Sequence, residues 1–306
     1  MQELIDRSLA QIAGVLVGKR HQIEQAMACL LAGGHLLIED LPGMGKTVLS
    51  QALARSLGLR FNRIQFTSDV LPADILGMSV FDRERGSFDF KPGPVFAQVL
   101  LADEINRTTP KTQSALLEAM EEGQVTIEGA TRPLPEPFFV IATQNPVTQA
   151  GTYPLPESQL DRFLMRIELG YPDPSAERDI IRGTDRRVLL ERLEPCLSLA
   201  ELVALQHAAA EVRVSDALLD YVQRLIKHSR TDAAFAWGLS PRGALALVRA
   251  ARAWALIRGR QHVIPEDVQA VLPGVVEHRL RERADHGESG GMALAQRLLA
   301  VVDVMN

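Results

Sequence analysis

Apolar positions along the chain follow two rhythms. Up to about residue 169, short unbroken apolar runs alternate with segments of helical spacing; from 175 onward only the helical spacing continues. Ile23, Ala26, Met27, Leu30 and Leu31 recur at three- and four-residue intervals, which predicts a helix over 20–32 closed by Gly33-Gly34. His35-Leu36-Leu37-Ile38-Glu39 then predicts a short buried strand, followed by a glycine-bearing loop and a helix over 48–57. Further strands are predicted at 61–66, 99–102, 138–142 and 165–169. Continuous apolar strands separated by helices predict an α/β fold, a parallel five-stranded sheet covered on both faces.

Two stretches interrupt this rhythm. Residues 69–94 carry Pro72, Gly77, Gly86, Pro92, Gly93 and Pro94 around short β-like pieces, and 123–137 reads as a small hairpin. Both look like insertions, candidates for function rather than folding. Phe81, Phe88 and Phe90 are expected to pack the first insert against its own domain. Beyond Tyr171-Pro172-Asp173-Pro174 the chain shows helical stripes (Leu218, Leu219, Val222, Leu225, Ile226; Leu245, Leu247, Val248, Ala251; Val268, Val271, Leu272) and no convincing strand. A boundary is placed near 172–195, giving an α/β domain over 1–172 and an all-α domain over 173–306. A Gly-Glu-Ser-Gly-Gly loop at 287–291 is the one low-complexity stretch.

Composition narrows the class. The 306 residues are 46% hydrophobic and 23% charged, as in soluble globular proteins. A net charge of −5 and a pI near 5.9 tilt against sequence-independent nucleic-acid binding, which relies on phosphate neutralisation. Cys29 and Cys196 lack metal-ligand spacing and read as buried apolar residues of a reducing compartment. No signal peptide or run of membrane-spanning length is evident, so a cytoplasmic protein without membrane insertion is expected.

Chemistry concentrates in Asp40-Leu41-Pro42-Gly43-Met44-Gly45-Lys46-Thr47, directly after an apolar strand. The P-loop pattern is Gly, four residues, then Gly-Lys-Ser/Thr; here Asp40 stands in place of the first glycine. Gly43 and Gly45 let backbone N–H groups turn inward around phosphate, and the following helix adds its positive N-terminal end. Lys46 is expected to reach the β and γ phosphates and Thr47 to offer its hydroxyl to Mg²⁺. The Asp40 carboxylate is expected to point away or to bond the loop backbone. A glycine-rich turn capping a helix has the same local pattern, but the strand before it favours nucleotide binding. Asp103 and Glu104 close the apolar run 99–102, the Walker B arrangement: Asp103 for the Mg²⁺ shell, Glu104 to polarise the attacking water. The helix after them is signalled by Thr109, Pro110 and Gly123.

Together these segments resemble AAA+ ATPases, and more closely the MoxR family. The resemblance rests on Ile38 to Thr47, Gly93-Pro94-Val95-Phe96 through Arg107, Lys111 to Glu122, Ala142-Thr143-Gln144-Asn145-Pro146, Leu155-Pro156-Glu157 to Phe163, and Ser240-Pro241-Arg242. It implies an AAA+ domain followed by a helical lid, with ATP and Mg²⁺ bound between them. It also implies that Pro42 to Val48 contacts nucleotide and that Val17-Gly18 meets adenine. By the same resemblance Asn145 is sensor 1, Arg162 an arginine finger for a neighbouring subunit's nucleotide, and Arg242 sensor 2, reaching from the lid to the phosphates. Hydrolysis is expected to move the lid against the sheet.

A finger acting in trans implies a homo-oligomer, by resemblance a hexameric ring. The implied function is a chaperone-like motor that activates, assembles or remodels a separate client, such as a von Willebrand A-domain protein or a metalloenzyme. Two rivals are a metal-chelatase-type motor subunit and a DNA translocase; the acidic pI disfavours the last.

Overall fold

The computed structural model describes residues 1–145, 152–183, 185–282 and 293–304. Pro146 of the Asn145-Pro146 segment and the 287–291 loop lie outside the described residues. The elements are α1 (Gln2–Val15), α2 (Arg20–Leu31), β1 (His35–Glu39), α3 (Lys46–Ser56), β2 (Phe61–Gln65), α4 (Pro72–Leu76), β3 (Gly77–Asp82), β4 (Ser87–Pro92) and β5 (Val99–Asp103). There follow a 3-10 turn Ile105–Arg107, α5 (Pro110–Glu122), β6 (Gln124–Ile127), β7 (Ala130–Pro133), β8 (Phe139–Gln144), α6 (Glu157–Leu160) and β9 (Phe163–Ile167). Then come α7 (Pro174–Arg182), α8 (Arg186–Glu191), α9 (Leu199–Glu211), α10 (Asp216–Thr231), β10 (Phe235–Trp237), α11 (Pro241–Ile257), α12 (Pro265–Val276), β11 (Arg281–Glu282) and α13 (Leu294–Val301).

The five expected strands form one sheet, β2-β5-β8-β1-β9, in which every pairing is parallel. Side-chain alternation sorts its residues into two cores. Leu36, Ile38, Val99 and Leu101 join α1, α2 and α3, whereas Leu37, Leu100, Ala102 and Val140 join Leu116, Leu117 and Met120 of α5. The last strand begins at Phe163, two residues before the predicted start. Thr109 occupies the N-cap of α5, but its hydroxyl meets the Thr112 hydroxyl at 3.2 Å instead of capping a backbone N–H. Gly123 supplies the left-handed C-cap, φ +62°.

Helices dominate after β9, with two departures among the described residues: a single bridge between Arg213 and His262, and β10 and β11, which pair antiparallel, a ribbon too short to register as a strand pattern. The later helices of this part pack directly on the sheet domain. α11 packs on α2 and α9, and α12 on β9, so Leu247, Ala250, Trp254 and Leu272 share one apolar core with Ile23, Leu30 and Leu36. The expected sliding of a lid against the sheet would have to open this core.

Both insertions are hairpins, β3–β4 and β6–β7, linked by a 2.5 Å bond from the Ser79 hydroxyl to the Glu128 carboxylate. Phe90 packs as expected, edge-on to Phe96 and under the Arg132 guanidinium. Phe81 and Phe88 do not: they pair with each other at 5.2 Å and stand 50% and 72% exposed. As register partners they share one face of a two-stranded ribbon, and no further layer covers it among the described residues. Cys29 and Cys196 are both free and buried, and among the described residues no helix is long and apolar enough to cross a membrane.

Candidate active site

The carboxyl ends of β1, β5 and β8 meet at one place, where open parallel sheets present ligand crevices. The loop after β1 turns through Gly43 and Gly45, at φ +86° and +93°, where a side chain is strained. At Gly45 an added Cβ would lie 2.9 Å from Leu16 Cδ1, which would have to shift, but the positive φ is the stronger constraint. Gly45 is the N-cap of α3 and offers no side chain to its first N–H groups, leaving them directed at the loop. A bare backbone cradle at a helix start, with Lys46 beside it, fits a polyphosphate.

Asp40 resolves the departure from the P-loop pattern. Its Oδ1 accepts the Leu41 N–H at 2.7 Å, and its Oδ2 accepts those of Leu169 and Gly170 at 2.8 and 2.6 Å. The carboxylate thus turns away from the cradle and ties it to the chain leaving β9. Its carbonyl accepts the Lys46 ammonium at 2.5 Å.

Lys46 links the loop to the acids. Its ammonium donates to Asn145 Oδ1 at 3.2 Å, and Asn145 Nδ2 donates to Glu104 Oε1 at 2.9 Å. Burial lowers the Lys46 pKa, and Asp40, Asp103, Glu104 and Glu39 oppose that by favouring the ammonium. Thr47 lies next to it, half-buried in the first turn of α3.

Glu104 sits in the left-handed region, φ +58°, unusual for a residue with a side chain. Its N–H donates to Thr143 Oγ1 at 2.8 Å, and its Oε2 accepts from Gln65 and Arg107, both at 2.8 Å. Thr143 also donates to Asp103 Oδ1 at 2.6 Å, while Arg63 holds Asp103 Oδ2 at 2.6 and 3.1 Å. Each carboxylate oxygen accepts about two bonds, so Asp103 Oδ1 keeps one free position for a metal or its water. Asn106 donates to the Asn145 carbonyl at 3.1 Å, which anchors the same corner.

Beside the cradle lies a cavity of about 370 Å³ lined by Val17, Gly43, Met44, Gly45 and Val48, with Tyr171, Ile180, Ile181 and Arg186 opposite. It is chiefly apolar, and one Arg186 guanidinium nitrogen is buried there without a hydrogen-bond partner among the described residues. Gly18 stands just behind, at φ +76°; a Cβ would come within 2.6 Å of Ala176 Cβ, so this glycine lets α7 close on the segment.

The two remaining arginines lie elsewhere. Arg162 precedes β9 and Arg242 opens α11 behind the Ser240 N-cap and Pro241. Both hold Glu121 at the end of α5: Arg162 on Oε2 at 2.9 Å, Arg242 on Oε1 at 3.3 Å. They border a second cavity, of about 310 Å³, with Gly33, Gly34 and His35. That is the amino end of β1, whereas Lys46 follows its carboxyl end, a strand length of roughly 15 Å away. The expectation that Arg242 reaches its own chain's phosphates is therefore corrected: the shared helix–sheet core fixes α11 at the opposite edge. Likewise the cavity beside the cradle faces α7 and α8, not the helix carrying Arg242.

Comparison with known proteins agrees with this fold. Residues 35–165 match the family model described as "ATPase family associated with various cellular activities (AAA)", and 227–297 match an AAA lid domain. "Chaperone MoxR1" of Mycobacterium tuberculosis is 45% identical, over 90% of this chain and 75% of its own. The chain belongs to the MoxR family of AAA+ ATPases. A second relative, "Uncharacterized protein YeaC" of Bacillus subtilis, is 46% identical over 92% of this chain and 88% of its own. A crystal structure from Cytophaga hutchinsonii, provisionally named an ATPase, superposes with a TM-score of 0.88 at 36% identity, covering 99% and 95% of the two chains.

In this MoxR-family fold, then, Lys46, Thr47, Asp103, Glu104 and Asn145 converge at one end of the sheet, with Pro42 to Val48 and Val17-Gly18 around them. Arg162 and Arg242 pair at the other. Sequence reasoning passed over Thr143, Arg63, Gln65 and Arg107, which orient the acids, and Tyr171 to Arg186, which wall the cavity. Thr143 and Arg107 lay inside segments that carry the resemblance; the others carry no local signal.

Proposed function

We propose that this chain hydrolyses ATP and uses the turnover to remodel a separate protein, each active site being assembled from two copies. The observation that carries the reading is the split just described. A connected Lys46–Asn145–Glu104 chain lies at the carboxyl end of the sheet, and a paired Arg162 and Arg242 lie at the amino end, out of its reach. In this reading Gly43, Gly45 and Lys46 cradle the phosphates, and the base enters the cavity beside Val17, Met44 and Val48. Glu104 orients and deprotonates the attacking water, with Asn145 fixing the carboxylate and Thr143 and Arg107 holding its backbone and second oxygen. Thr47 and Asp103 are the residues to hold Mg²⁺, which when bound supplies charge neutralisation for the phosphates. Arg162 and Arg242 of one copy serve the phosphates of the next, favouring transition-state charge.

A partner protein as client is supported by the naming of the MoxR1 relative as a chaperone and by the exposed Phe81–Phe88 pair on an inserted hairpin. A ring of six and a von Willebrand A-domain or metalloenzyme client are the finer forms of this reading. The test is Glu104→Gln: it should bind ATP as the parent chain does, turn over at least a hundredfold more slowly, and retain a protein partner in its ATP state. Unchanged turnover, or stimulation by DNA with no protein partner retained, would overturn the reading.

A further inference from the structure

Arg279, three residues beyond the end of α12, is the most fully engaged side chain in the described structure. A guanidinium has five N–H donors, and all five are used. Nε donates to Asp161 Oδ1 at 2.6 Å; Nη1 donates to the carbonyls of Leu164 and Val275 at 3.1 and 2.5 Å; Nη2 donates to those of Asp161 and Phe163 at 3.2 and 2.6 Å. Its side chain is only 5% exposed, so this charge has been taken out of water and is compensated by the Asp161 carboxylate. Three of the four carbonyls belong to 161–164, on both sides of Arg162; the fourth belongs to α12 itself.

The other flank of Arg279 is α11. A Cβ on Gly243, the residue after Arg242, would lie 3.2 Å from Arg279 Cδ, so glycine there permits the close approach. The Arg242 charge acts on the Arg279 guanidinium across this gap. Arg279 therefore lies between the segment carrying Arg162 and the helix turn carrying Arg242. It bonds the first and packs against the second.

We propose that Arg279 is a positioning residue that locks Arg162 and Arg242 into one rigid arginine pair, so that both are delivered together to the nucleotide of a neighbouring copy. This rests on the reading that those two arginines act in trans. The Glu121 contacts alone do not provide the lock, because Arg242 and Glu121 are 49% and 38% exposed and such pairs contribute little. A rigid backbone clamp does, and a misplacement of about 1 Å in such groups costs about a hundredfold in rate.

Arg279→Gln, Arg279→Lys and Arg162→Ala are compared as full chains, with thermal melting to confirm folding. Expected for Arg279→Gln is a fall in kcat of about tenfold or more with the KM for ATP changed less than about twofold. Arg279→Lys, which keeps the charge opposite Asp161 but cannot span the carbonyls, should be intermediate. Amide hydrogen exchange in Arg279→Gln should quicken at 161–164 and 241–246 and stay unchanged at 43–49. The proposal is overturned if exchange at 161–164 is unchanged, or if nucleotide binding is lost along with kcat, which marks a merely structural role. A folded Arg279→Gln with normal kcat beside an impaired Arg162→Ala overturns the clamp but leaves the trans reading standing. A normal kcat in Arg162→Ala overturns the trans reading and the clamp with it. Should Arg279→Gln not fold, the lysine variant carries the same kinetic and exchange tests.

Discussion

Replacing Asp40 by glycine would restore the common P-loop pattern, and it should make the protein worse. Asp40 accepts three backbone N–H bonds, from Leu41, Leu169 and Gly170, at 2.6–2.8 Å. Hydrogen bonds to an ionised group contribute about 1.5–3 kcal/mol each, and a buried donor left without an acceptor costs about 1–3 kcal/mol. Leu41 is exposed and water can replace its bond, so the loss comes from Leu169, which is buried, and Gly170, which is half-buried. Glycine also adds backbone freedom to the unfolded chain, about 0.5–1 kcal/mol. With the half-buried Gly170 donor counted at about half, the sum is a destabilisation of about 2–5.5 kcal/mol. For a chain of this size a kilocalorie shifts Tm by roughly 2 °C, giving a drop of roughly 4–11 °C. Calorimetry and urea midpoints of Asp40→Gly and Asp40→Asn measure it, with the asparagine variant between glycine and parent because its side-chain oxygen still accepts. The KM for ATP should rise as well, since the cradle loses its tie to β9. An Asp40→Gly protein as stable as the parent, with unchanged KM, would refute the assignment of Asp40 as the loop's anchor.

Other outcomes follow from single features of the structure. Gly45→Ala places a Cβ against Leu16 at a φ of +93°, so nucleotide binding measured by fluorescence titration should weaken at least tenfold; wild-type affinity would contradict the cradle. Glu121→Ala removes a partly exposed partner of two arginines, so the unfolding free energy should change by less than about 1 kcal/mol, and a larger loss in denaturant titrations would contradict the weak-pair reading. His35 accepts the Val140 N–H on Nδ1 at 3.0 Å, so Nε2 carries the proton facing the Met120 carbonyl. Burial pushes its pKa down to about 4. The unfolded chain, near 6.5, takes up the proton first, so the stability this histidine contributes is complete above pH 6.5 and is lost as pH falls toward 4. At about 1.4 kcal/mol per pH unit, His35 alone removes up to about 3 kcal/mol, and His278, also buried with its pKa well lowered, acts in the same direction. Denaturant titrations between pH 7 and 4 that show no such slope would contradict this.

The sheet and the side-chain cluster at its carboxyl end were legible because their signals are local. Gly43 and Gly45 stand where only a bare backbone turns as required, and Asp103-Glu104 closes a run that is apolar on both faces. Boundaries were less secure: Phe163 and Leu164 belong to β9, ahead of the strand start predicted at Met165. Contacts between distant segments left no local trace. Nothing near Asp40 indicates that it bonds Leu169 and Gly170, 129 and 130 residues on. Nor does Ser240-Pro241-Arg242 tell which edge of the sheet its helix will cover; small residues such as Ala246, Ala250 and Ala253 let α11 close on the face shared with α2. Phe81 and Phe88 carry the alternation of a buried strand, yet no layer covers them among the described residues.

The central claim is that one chain holds two unlike halves of an active site. Mixing Glu104→Gln chains, which keep the arginines, with Arg162→Ala chains, which keep the hydrolytic corner, tests it most directly. Each variant alone should be nearly inactive, and ATP turnover should reappear on mixing and fall again on dilution. A mixture as inactive as its components, or an Arg162→Ala chain that is fully active by itself, would contradict the account.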